Sequence, residues 1–357
     1  MRAGTGAAGV RAWLRRAGFA LALLILGGTF LNASWLAPDP VGAPKIVSHR
    51  GLYQLYDKAG VGRDTCTADR IEQPYHPYLE NTVASVQRAQ RLGAWMVEVD
   101  IAPTRDGDVV VFHDWTLDCR TDGSGPVRDA TVEELKALDI GHGYTADGGA
   151  TYPFRGKFTG AMPTFAELVA ALPKRGRLMV NFKSRRPEEA DLLARAYAAA
   201  GRDPVAAGDG FYGHDGSIGR IRELYPEAWS WSQQRAKACS QDYVLYGWSG
   251  YLPQSCRGET LLVPLNYQWA FWGWPNRLIA RMEAHGGKVI VIGPIGENLP
   301  RGLTLPEQLG AIPDSFNGYV WVEDSFTVLP ALIQRFDDRS QQEIDAAERA
   351  LERRRAR

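Results

Sequence analysis

The chain has 357 residues, of which 45% are hydrophobic, and it carries 41 basic and 41 acidic residues. This length and composition fit one large α/β domain or two small ones. The formal net charge of zero gives no electrostatic argument for a nucleic-acid ligand, and we expect none. The sequence has no CxxC pair, which argues against a zinc site.

The first 40 residues differ in composition from the rest. An uncharged, mostly apolar run over residues 17–38 follows four arginines, namely Arg2, Arg11, Arg15 and Arg16. Its strongly apolar part, residues 19–31, is shorter than the ~20 residues that a membrane-spanning helix needs, and an extension through residue 36 just reaches that length. No clean pair of small residues marks a cleavage site, so we favour an uncleaved signal anchor and keep a cleaved signal peptide as the alternative. In both cases the arginines stay in the cytoplasm. The following domain is exported, either membrane-anchored or, after cleavage, secreted or periplasmic.

The cysteine content also suits an oxidising compartment, with four cysteines in the chain. Three pairings are possible. We favour Cys66 with Cys119 and Cys239 with Cys256, because each pair joins neighbouring stretches of the fold argued next. Free buried thiols are the alternative.

Beyond a Pro-rich linker that ends near residue 40, short β-rich runs alternate with helical patterns. We predict nine strands, at residues 45–48, 95–101, 108–112, 178–182, 210–213, 228–231, 261–265, 288–292 and 318–322. Helices are predicted over residues 164–172, 187–200, 218–224, 276–285 and 326–336, with one more that is capped by Asn81 or Thr82 and runs to about residue 92. This order predicts an α/β fold, a TIM (β/α)8 barrel in which at least one of the nine candidates is not a barrel strand.

Three parts of the chain follow from this pattern. We expect a signal anchor or signal peptide with its linker at residues 1–40, the barrel at 41–336 and a charged helical tail at 337–357. Two insertions, residues 52–79 and 116–162, should lie over the C-terminal face of the barrel, where the active sites of this fold are built. The tail has only a thin apolar stripe, so we expect a solvated helix.

Two histidines stand at the ends of predicted strands. His49 follows the first strand and His113 follows the third. Imidazole titrates near neutral pH, so one ring can take a proton while the other gives one. The other four histidines lack such a context.

Two acidic residues share one face of a predicted strand. Glu98 and Asp100 alternate with aliphatic residues, so both carboxylates should point into the barrel. Two buried acids repel each other unless a cation lies between them, and oxygen ligands of this kind suit Mg²⁺ or Ca²⁺. A salt bridge to Lys183 is the alternative.

Two further charged residues flank these motifs. Arg50 presents a forked donor suited to phosphate. Glu80 precedes a helix, where it can support the metal ligands or simply place a favourable charge at the helix N-terminus. A structural ion pair between the two residues is compatible with both roles.

Taken together, these motifs resemble the glycerophosphodiester phosphodiesterase family. The motifs are His49-Arg50-Gly51, Glu80-Asn81-Thr82, Glu98-Val99-Asp100, the turn Asp106-Gly107 and Val110-Val111-Phe112-His113-Asp114. The resemblance is strong over residues 46–120 and diffuse up to residue 324. It implies a TIM barrel with a divalent metal and two catalytic histidines. By motif, His49 and His113 become the acid/base pair, Glu98 and Asp100 metal ligands, and Arg50 a phosphate contact. The family also implies that a neighbouring glycerol hydroxyl attacks phosphorus before water completes hydrolysis.

The sequence departs from the family pattern at three places. Asn181 stands where the family usually has a glutamate ligand, so the metal site keeps an amide oxygen without its charge. Lys183 remains at its position and can contact the phosphate. The motif that ends the last strand reads Glu323-Asp324, and residues 292–294 replace a frequent tryptophan. We therefore expect altered substrate recognition more than altered chemistry.

The sequence thus predicts a metal-dependent phosphoric diester hydrolase that acts on glycerophosphodiesters. One alternative is a non-catalytic barrel that binds phospholipid headgroups or envelope polymers. Another is a phospholipase-D-like enzyme that forms a cyclic phosphate. An aromatic-rich stretch over residues 243–274 could line a substrate groove, lie against a bilayer or belong to the core. The oligomeric state does not follow from the sequence.

Overall fold

A computed structural model describes residues 5–62, 65–297 and 301–356 of the chain. Arg2 of the expected anchor, two positions of the first insertion and the last residue of the tail lie outside this part. The strands are β1 Lys45–Ser48, β2 Met96–Pro103, β3 Val109–Val111, β4 Leu178–Phe182, β5 Gly210–Gly213, β6 Trp229–Ser232, β7 Thr260–Pro264, β8 Lys288–Ile292 and β9 Tyr319–Val322. The helices are α1 Thr5–Leu31, α2 Val83–Arg91, α3 Val132–Lys136, α4 Phe165–Ala171, α5 Glu188–Ala199, α6 Pro204–Ala207, α7 Asp215–Leu224, α8 Gln233–Tyr246, α9 Asn276–Glu283, α10 Ser325–Leu332 and α11 Gln341–Arg355.

Eight of the strands form a parallel, nearly closed barrel. Their order is β6-β5-β4-β2-β1-β9-β8-β7. Between the two end strands, the Trp229 indole nitrogen donates to the Thr260 hydroxyl at 2.9 Å. This arrangement confirms the predicted TIM barrel and the apolar helix that precedes it.

The third predicted strand lies outside the barrel. Nine strands were predicted and the barrel has eight, so at least one of the nine had to lie elsewhere. Strand β3 pairs antiparallel with the end of β2, with Ile101 opposite Val111. The turn between them contains Gly107 at a φ of +84°, which suits the predicted Asp-Gly turn. The hairpin brings the chain back toward the barrel, where the Phe112 amide donates to the Asp100 carbonyl at 3.0 Å.

Alternation along β2 separates the two faces of the barrel wall. Val97, Val99 and Ile101 are buried in the core that the helices cover. Met96, on the opposite face, belongs to a second cluster that fills the barrel interior, together with Val47, Met179, Tyr212, Trp231, Ile290 and Trp321. The even-numbered acids of β2 therefore face the interior, because side chains alternate with a period of two.

Helix α8 was not among the predicted helices. Its 14 residues are mostly polar, and only Ala236, Cys239 and Tyr243 are buried. So sparse an apolar stripe is a weak helix signal. Tertiary contacts instead hold this helix, including a disulfide between Cys239 and Cys256.

Both predicted disulfides are confirmed. Cys239 pairs with Cys256 behind β7, and Cys66 pairs with Cys119 across 53 residues of sequence. The second bridge joins the two insertions. A small apolar cluster that includes Leu79 and Tyr144 also packs them together.

The C-terminal helix α11 corrects the expectation of a solvated tail. Ala347 and Ala350 are buried in the main core, and Leu351 is 8% exposed. Near the end of the helix, the Arg354 side chain reaches Glu72 at 2.7 Å and the carboxylate of Asp324. Small apolar residues suffice here because an alanine face allows close approach to the barrel.

Helix α1 leaves the barrel as a separate rod. Over Gly9–Leu31 it is long and apolar enough to cross a membrane, and none of this stretch is buried. Its end nevertheless contacts the body, because the buried Asn32 side chain donates to the Trp248 carbonyl at 2.6 Å.

Candidate active site

His49 lies at the mouth of the barrel, directly after β1. Its ring is 8% exposed, and its Nδ1 atom lies 2.9 Å from a carboxylate oxygen of Glu323. The Nε2 atom lies 3.8 Å from Glu98. The contact at Nδ1 holds the ring and leaves Nε2 as the atom that can exchange protons with a ligand.

Glu323 follows β9 and is fully buried, with an exposure of 1%. The Tyr53 hydroxyl donates to the same carboxylate oxygen that contacts His49. Burial tends to raise the pKa of Glu323, but the His49 imidazole and the Arg50 charge outweigh it and lower this pKa. In the sequence, Glu323 stood out only as a departure from the family pattern, and no role was predicted for it. Its contact with His49 was not predicted, because it joins residues 274 positions apart.

His113 reaches the same mouth from the β3 hairpin rather than from a barrel strand. Its Nδ1 lies 2.5 Å from Asp114, and its Nε2 lies 2.7 Å from the Lys183 ammonium nitrogen. Burial first, and then the Arg50 charge, lower the pKa of His113 to about 3. The ring is therefore neutral and can accept a proton at Nε2.

Arg120 ties this histidine to the insertions. Its guanidinium contacts Asp114 at 2.8 Å and Glu80 at 2.6 Å. It also donates to Tyr144 and Thr67, one from each insertion, at 2.7 and 2.8 Å. Neither Arg120 nor Asp114 was predicted to have a role in the site. The role of Asp114 could have been predicted from its position next to His113 in the sequence.

The acidic pair of β2 lies between the two histidines. Glu98 accepts from the Tyr212 hydroxyl at 2.7 Å and from the Arg50 backbone amide at 2.9 Å. Asp100 accepts from the side-chain amide of Asn81 at 3.0 Å. Burial and the neighbouring Asp100 raise the pKa of Glu98. Burial alone would also raise the pKa of Asp100, but electrostatic interactions with the His113 ring and with the Lys183 and Arg50 charges lower it.

The His-Arg-Gly motif makes a tight turn above this pair. Arg50 and Gly51 both have positive φ, at 57° and 76°. A Cβ at Gly51 would lie 2.8 Å from the Ser85 hydroxyl, so only glycine lets the turn approach α2. The left-handed conformation of Arg50 is unusual for a residue with a side chain, and such strain concentrates at functional sites. A second residue in the left-handed conformation is Asn81, whose backbone amide donates to the Arg50 carbonyl at 3.1 Å.

The Arg50 side chain is buried but incompletely bonded. Its Nε lies 3.4 Å from Asp100 and its Nη1 lies 3.9 Å from Glu80. Neither of these nitrogens makes a hydrogen bond within the described part of the chain. Buried donors rarely stay unpaired, so the guanidinium retains capacity for an anionic ligand.

Asn181 and Lys183 complete the site from β4 and the turn after it. The Asn181 side-chain amide donates to Asp100 Oδ1 at 2.8 Å, and the Lys183 ammonium nitrogen lies 3.8 Å from the same carboxylate oxygen. Burial lowers the pKa of Lys183 from its usual value. The alternative of a salt bridge between this lysine and the acidic pair is thus compatible with the geometry.

The donor set tests whether a divalent metal fits. Among the described residues, no group of three Asp, Glu, His or Cys side chains converges as a metal site would require. Glu98, Asp100 and the Asn181 carbonyl oxygen nevertheless offer two anionic oxygen donors and one neutral one, the chemistry that Mg²⁺ or Ca²⁺ accepts. Burial first, and then the charge of Asp100, raise the pKa of Glu98, and a bound cation would favour the ionised carboxylate.

All of the predicted site residues lie in one connected network. Direct contacts link His49 to Glu98, Arg50 to Asp100 and Lys183 to His113. Glu80 joins through Arg50 and Arg120, and Asn181 joins through Asp100. The structure therefore brings together every residue that was predicted for the site.

Known proteins share both the motifs and the barrel. Residues 49–203 match the model of the Glycerophosphoryl diester phosphodiesterase family. A glycerophosphodiester phosphodiesterase of Caldanaerobacter subterraneus subsp. tengcongensis is 52% identical over 62 residues, which are 17% of this chain and 26% of that protein. The chain spans less than two thirds of the length of the curated relatives it matches, with 61% and 56% for two others.

Solved structures share the fold at low identity. The glycerophosphoryl diester phosphodiesterase domain of a Mycobacterium tuberculosis protein has a TM-score of 0.57 and 18% identity, covering 82% of this chain and 100% of that one. An Oleispira antarctica phosphodiesterase in complex with the product sn-glycerol-3-phosphate has a TM-score of 0.52 and 19% identity, covering 83% and 98%. In its motifs and in the match over residues 49–203, this part of the chain is similar to the Glycerophosphoryl diester phosphodiesterase family, and the solved structures share its barrel fold.

Proposed function

We propose that this protein hydrolyses glycerophosphodiesters to an alcohol and glycerol phosphate by histidine acid/base catalysis. The observation that carries the proposal is that the two histidine rings are held in the same way. His49 and His113 each have Nδ1 against a carboxylate, at 2.9 and 2.5 Å, which leaves both Nε2 atoms at the mouth of one barrel. The family match and the product complex of the Oleispira relative support this substrate class.

In this proposal the two imidazoles divide the proton transfers. One Nε2 takes the proton of the attacking oxygen, from a glycerol hydroxyl of the substrate or from water, while the other gives a proton to the leaving oxygen. Such general acid/base catalysis contributes about 10²–10⁴ to the rate. Arg50, through its unbonded nitrogens, and Lys183 bind the phosphate oxygens and lower the negative charge that repels a nucleophile.

A divalent cation, Mg²⁺ or Ca²⁺, belongs to the same proposal. Glu98, Asp100 and the Asn181 carbonyl would hold it, and when bound it supplies positive charge to the phosphoryl oxygens. Because Asn181 is neutral, we expect a weaker site than three carboxylates would give. Glu80 supports the site indirectly through its contacts with Arg50 and Arg120.

We also propose that α1 anchors the protein in a membrane with the barrel outside the cytoplasm. The unburied helix, the arginines that precede its apolar part and the two disulfides support this location. Cleavage after α1 would instead release a secreted or periplasmic barrel. Alkaline carbonate extraction of membranes from producing cells tests this: retention of the full-length chain in the pellet is expected, and a soluble, shortened chain would contradict it.

The catalytic proposal is tested with the full-length protein in detergent. Phosphorus NMR follows glycerophosphodiester turnover with Mg²⁺ or Ca²⁺ for the native chain, for His49→Ala and for His113→Ala. His285→Ala, at an exposed histidine, is the matched control. We expect both site variants to lose turnover by a factor of about 10² or more and the control to keep it.

The other outcomes decide against the proposal. Full turnover in both site variants would remove the histidine mechanism. A cyclic phosphate that persists as the phosphorus product would indicate the phospholipase-D-like reaction instead. No turnover in the native chain, together with no calorimetric binding of Mg²⁺ or Ca²⁺, would favour the non-catalytic barrel.

A further inference from the structure

We propose that the barrel surface formed by the end of α8 and the turn after it docks on the lipid bilayer beside α1. This docking face consists of Leu245, Tyr246, Trp248 and Tyr251, together with Trp35 from the segment after α1. The inference rests on the proposed anchoring and goes beyond it, because an anchor on a flexible tether would leave the barrel free to tumble.

The first step is that α1 is not flexibly tethered at its base. Asn32, one residue beyond the helix, is 4% exposed. Its side-chain amide donates to the Gly28 carbonyl of α1 at 2.7 Å and to the Trp248 carbonyl of the barrel at 2.6 Å. One buried side chain thus joins the last turn of the helix to the docking face.

A second attachment lies a few residues further along the chain. The Ser34 hydroxyl accepts from the Asn276 backbone amide at 3.0 Å, and Asp39 accepts from the Asn276 side chain at 2.6 Å. Asn276 begins α9 and is 4% exposed. Contacts with the turn after α8 and with α9 set the orientation of the barrel relative to α1.

The surface around this base is aromatic and open to solvent. Tyr246, Trp248 and Tyr251 are 55%, 48% and 53% exposed, and Trp35 is 68% exposed. Leu245 adds an aliphatic side chain at 61%. Soluble surfaces seldom gather such residues without a partner, and Trp and Tyr concentrate where a bilayer meets water.

The position of the face relative to a bilayer also fits. The uncharged part of α1, residues 17–31, follows Arg11, Arg15 and Arg16 and is about 22 Å long at 1.5 Å per residue. A hydrocarbon core is about 30 Å thick, so with the arginines at the cytoplasmic surface the end of α1 would lie in the outer part of the opposite leaflet. Asn32 holds Trp248 beside this end of the helix, so the exposed aromatic side chains would meet lipid near the headgroup boundary, where an amphipathic indole ring is most favourable.

The face is also rigid enough to dock as a unit. The Cys239–Cys256 disulfide encloses residues 240–255, which include the three aromatic residues of the α8 end. Tyr243, in the same segment, is buried and donates to the Trp272 carbonyl at 2.8 Å. Ordering these side chains on a membrane therefore costs little additional backbone entropy.

Site-specific photo-crosslinking in the full-length protein tests the proposal. A benzophenone amino acid replaces Trp248 or, in a second variant, Tyr251, and the protein is reconstituted in phosphatidylcholine–phosphatidylglycerol nanodiscs. Leu24, inside α1, reports on the anchor itself. Trp95 is the matched control, because it is 41% exposed and stands before β2, on the opposite side of the strand order from β6 and β7.

We expect positions 248, 251 and 24 to crosslink to lipid several-fold more than position 95. Crosslinking from position 24 alone would overturn the docking face while the anchor stands. No lipid adduct from any position would overturn both the anchor and the docking face. Equal crosslinking from positions 248, 251 and 95 would also contradict the proposal, since it would show that the barrel contacts lipid in no preferred orientation.

Discussion

At the residue scale, the site is defined by two imidazoles that are each held by a carboxylate. Asp114 is the sequence neighbour of His113, whereas Glu323 reaches His49 from the last barrel strand. Fixing Nδ1 selects one tautomer and one ring orientation. Glu323 is therefore a positioning residue in the proposed mechanism, and its role can be separated from folding.

Glu323→Gln is expected to lower kcat on the order of 10²-fold with little change in KM, since the amide can donate to Nδ1 and stabilise the wrong tautomer. Nitrogen-15 NMR of the His49 ring should show the loss of the Nδ1–H form. Glu307→Gln, at a partly exposed carboxylate that pairs with Arg355, is the control. An unchanged tautomer and unchanged kcat would show that Glu323 does not position the ring.

Asn181 sets the charge of the proposed metal site. Asn181→Glu should tighten Mg²⁺ or Ca²⁺ binding by about tenfold or more, because a third carboxylate joins two that already share the site. Asn181→Gln changes the length of the side chain without adding charge and serves as the control. Calorimetric titration with the cation alone measures the effect, and equal affinities in both variants would place the cation elsewhere.

At the element scale, α11 connects two parts of the barrel rim. Arg354 contacts Glu72 in the first insertion and Asp324 at the start of α10, and its guanidinium lies over the Tyr75 ring at 5.2 Å. Asp324 in turn caps α10 through Thr327. The helix therefore holds the insertion against the last strand, next to Glu323.

Arg354→Ala should lower the free energy of unfolding by about 3–5 kcal/mol, because it leaves two carboxylates without their buried partner. Arg353→Ala, one residue earlier at an exposed position, should change it by less than about 0.5 kcal/mol. Urea unfolding followed by circular dichroism measures both. Equal effects of the two variants would mean that α11 is peripheral to stability.

At the scale of the whole molecule, the site is assembled from adjacent barrel strands. Strands β4, β2, β1 and β9 are neighbours in the barrel, although β1 and β9 are far apart in the chain. They supply Asn181, His49 and Glu323 at or just beyond their carboxyl ends, and Glu98 from within β2, level with the end of β1. Parallel strands that end at one mouth make this convergence possible.

The stability of the whole molecule should depend on pH through its buried histidines. Burial lowers the pKa of His76 to about 4, against about 6.5 in the unfolded chain. Between these values the unfolded state binds more protons, so stability is full above pH 6.5 and falls as the pH drops toward 4. The expected loss from His76 is roughly 3 kcal/mol.

His76→Gln should flatten this part of the pH dependence, because glutamine does not titrate. The slope of the unfolding free energy between pH 6.5 and 4 is compared among the native chain, the variant and His285→Gln as the exposed control. His113 has a lowered pKa as well, so some slope should remain in the variant. Identical slopes for all three proteins would rule out a contribution from His76.

Some strands and helices could be predicted from the sequence, because the pattern that indicates them lies within a few residues. Alternating aliphatic residues predicted β2 with both acids on one face, and four strands were predicted with the bounds observed, including β1 and β8. Helix α8 was missed, since its stability comes from a disulfide and from packing rather than from an apolar stripe. The tail was predicted as solvated, since two buried alanines give little periodic signal.

The sequence by itself determined the resemblance to the family, the barrel and the set of groups in the proposed chemistry, because these are encoded in short motifs and in strand periodicity. Only the tertiary structure decided which groups meet. The contacts of His49 with Glu323, of Arg120 with both insertions and of Arg354 with Asp324 join distant segments. The physical reason is that barrel closure and loop packing, rather than local propensity, set such distances.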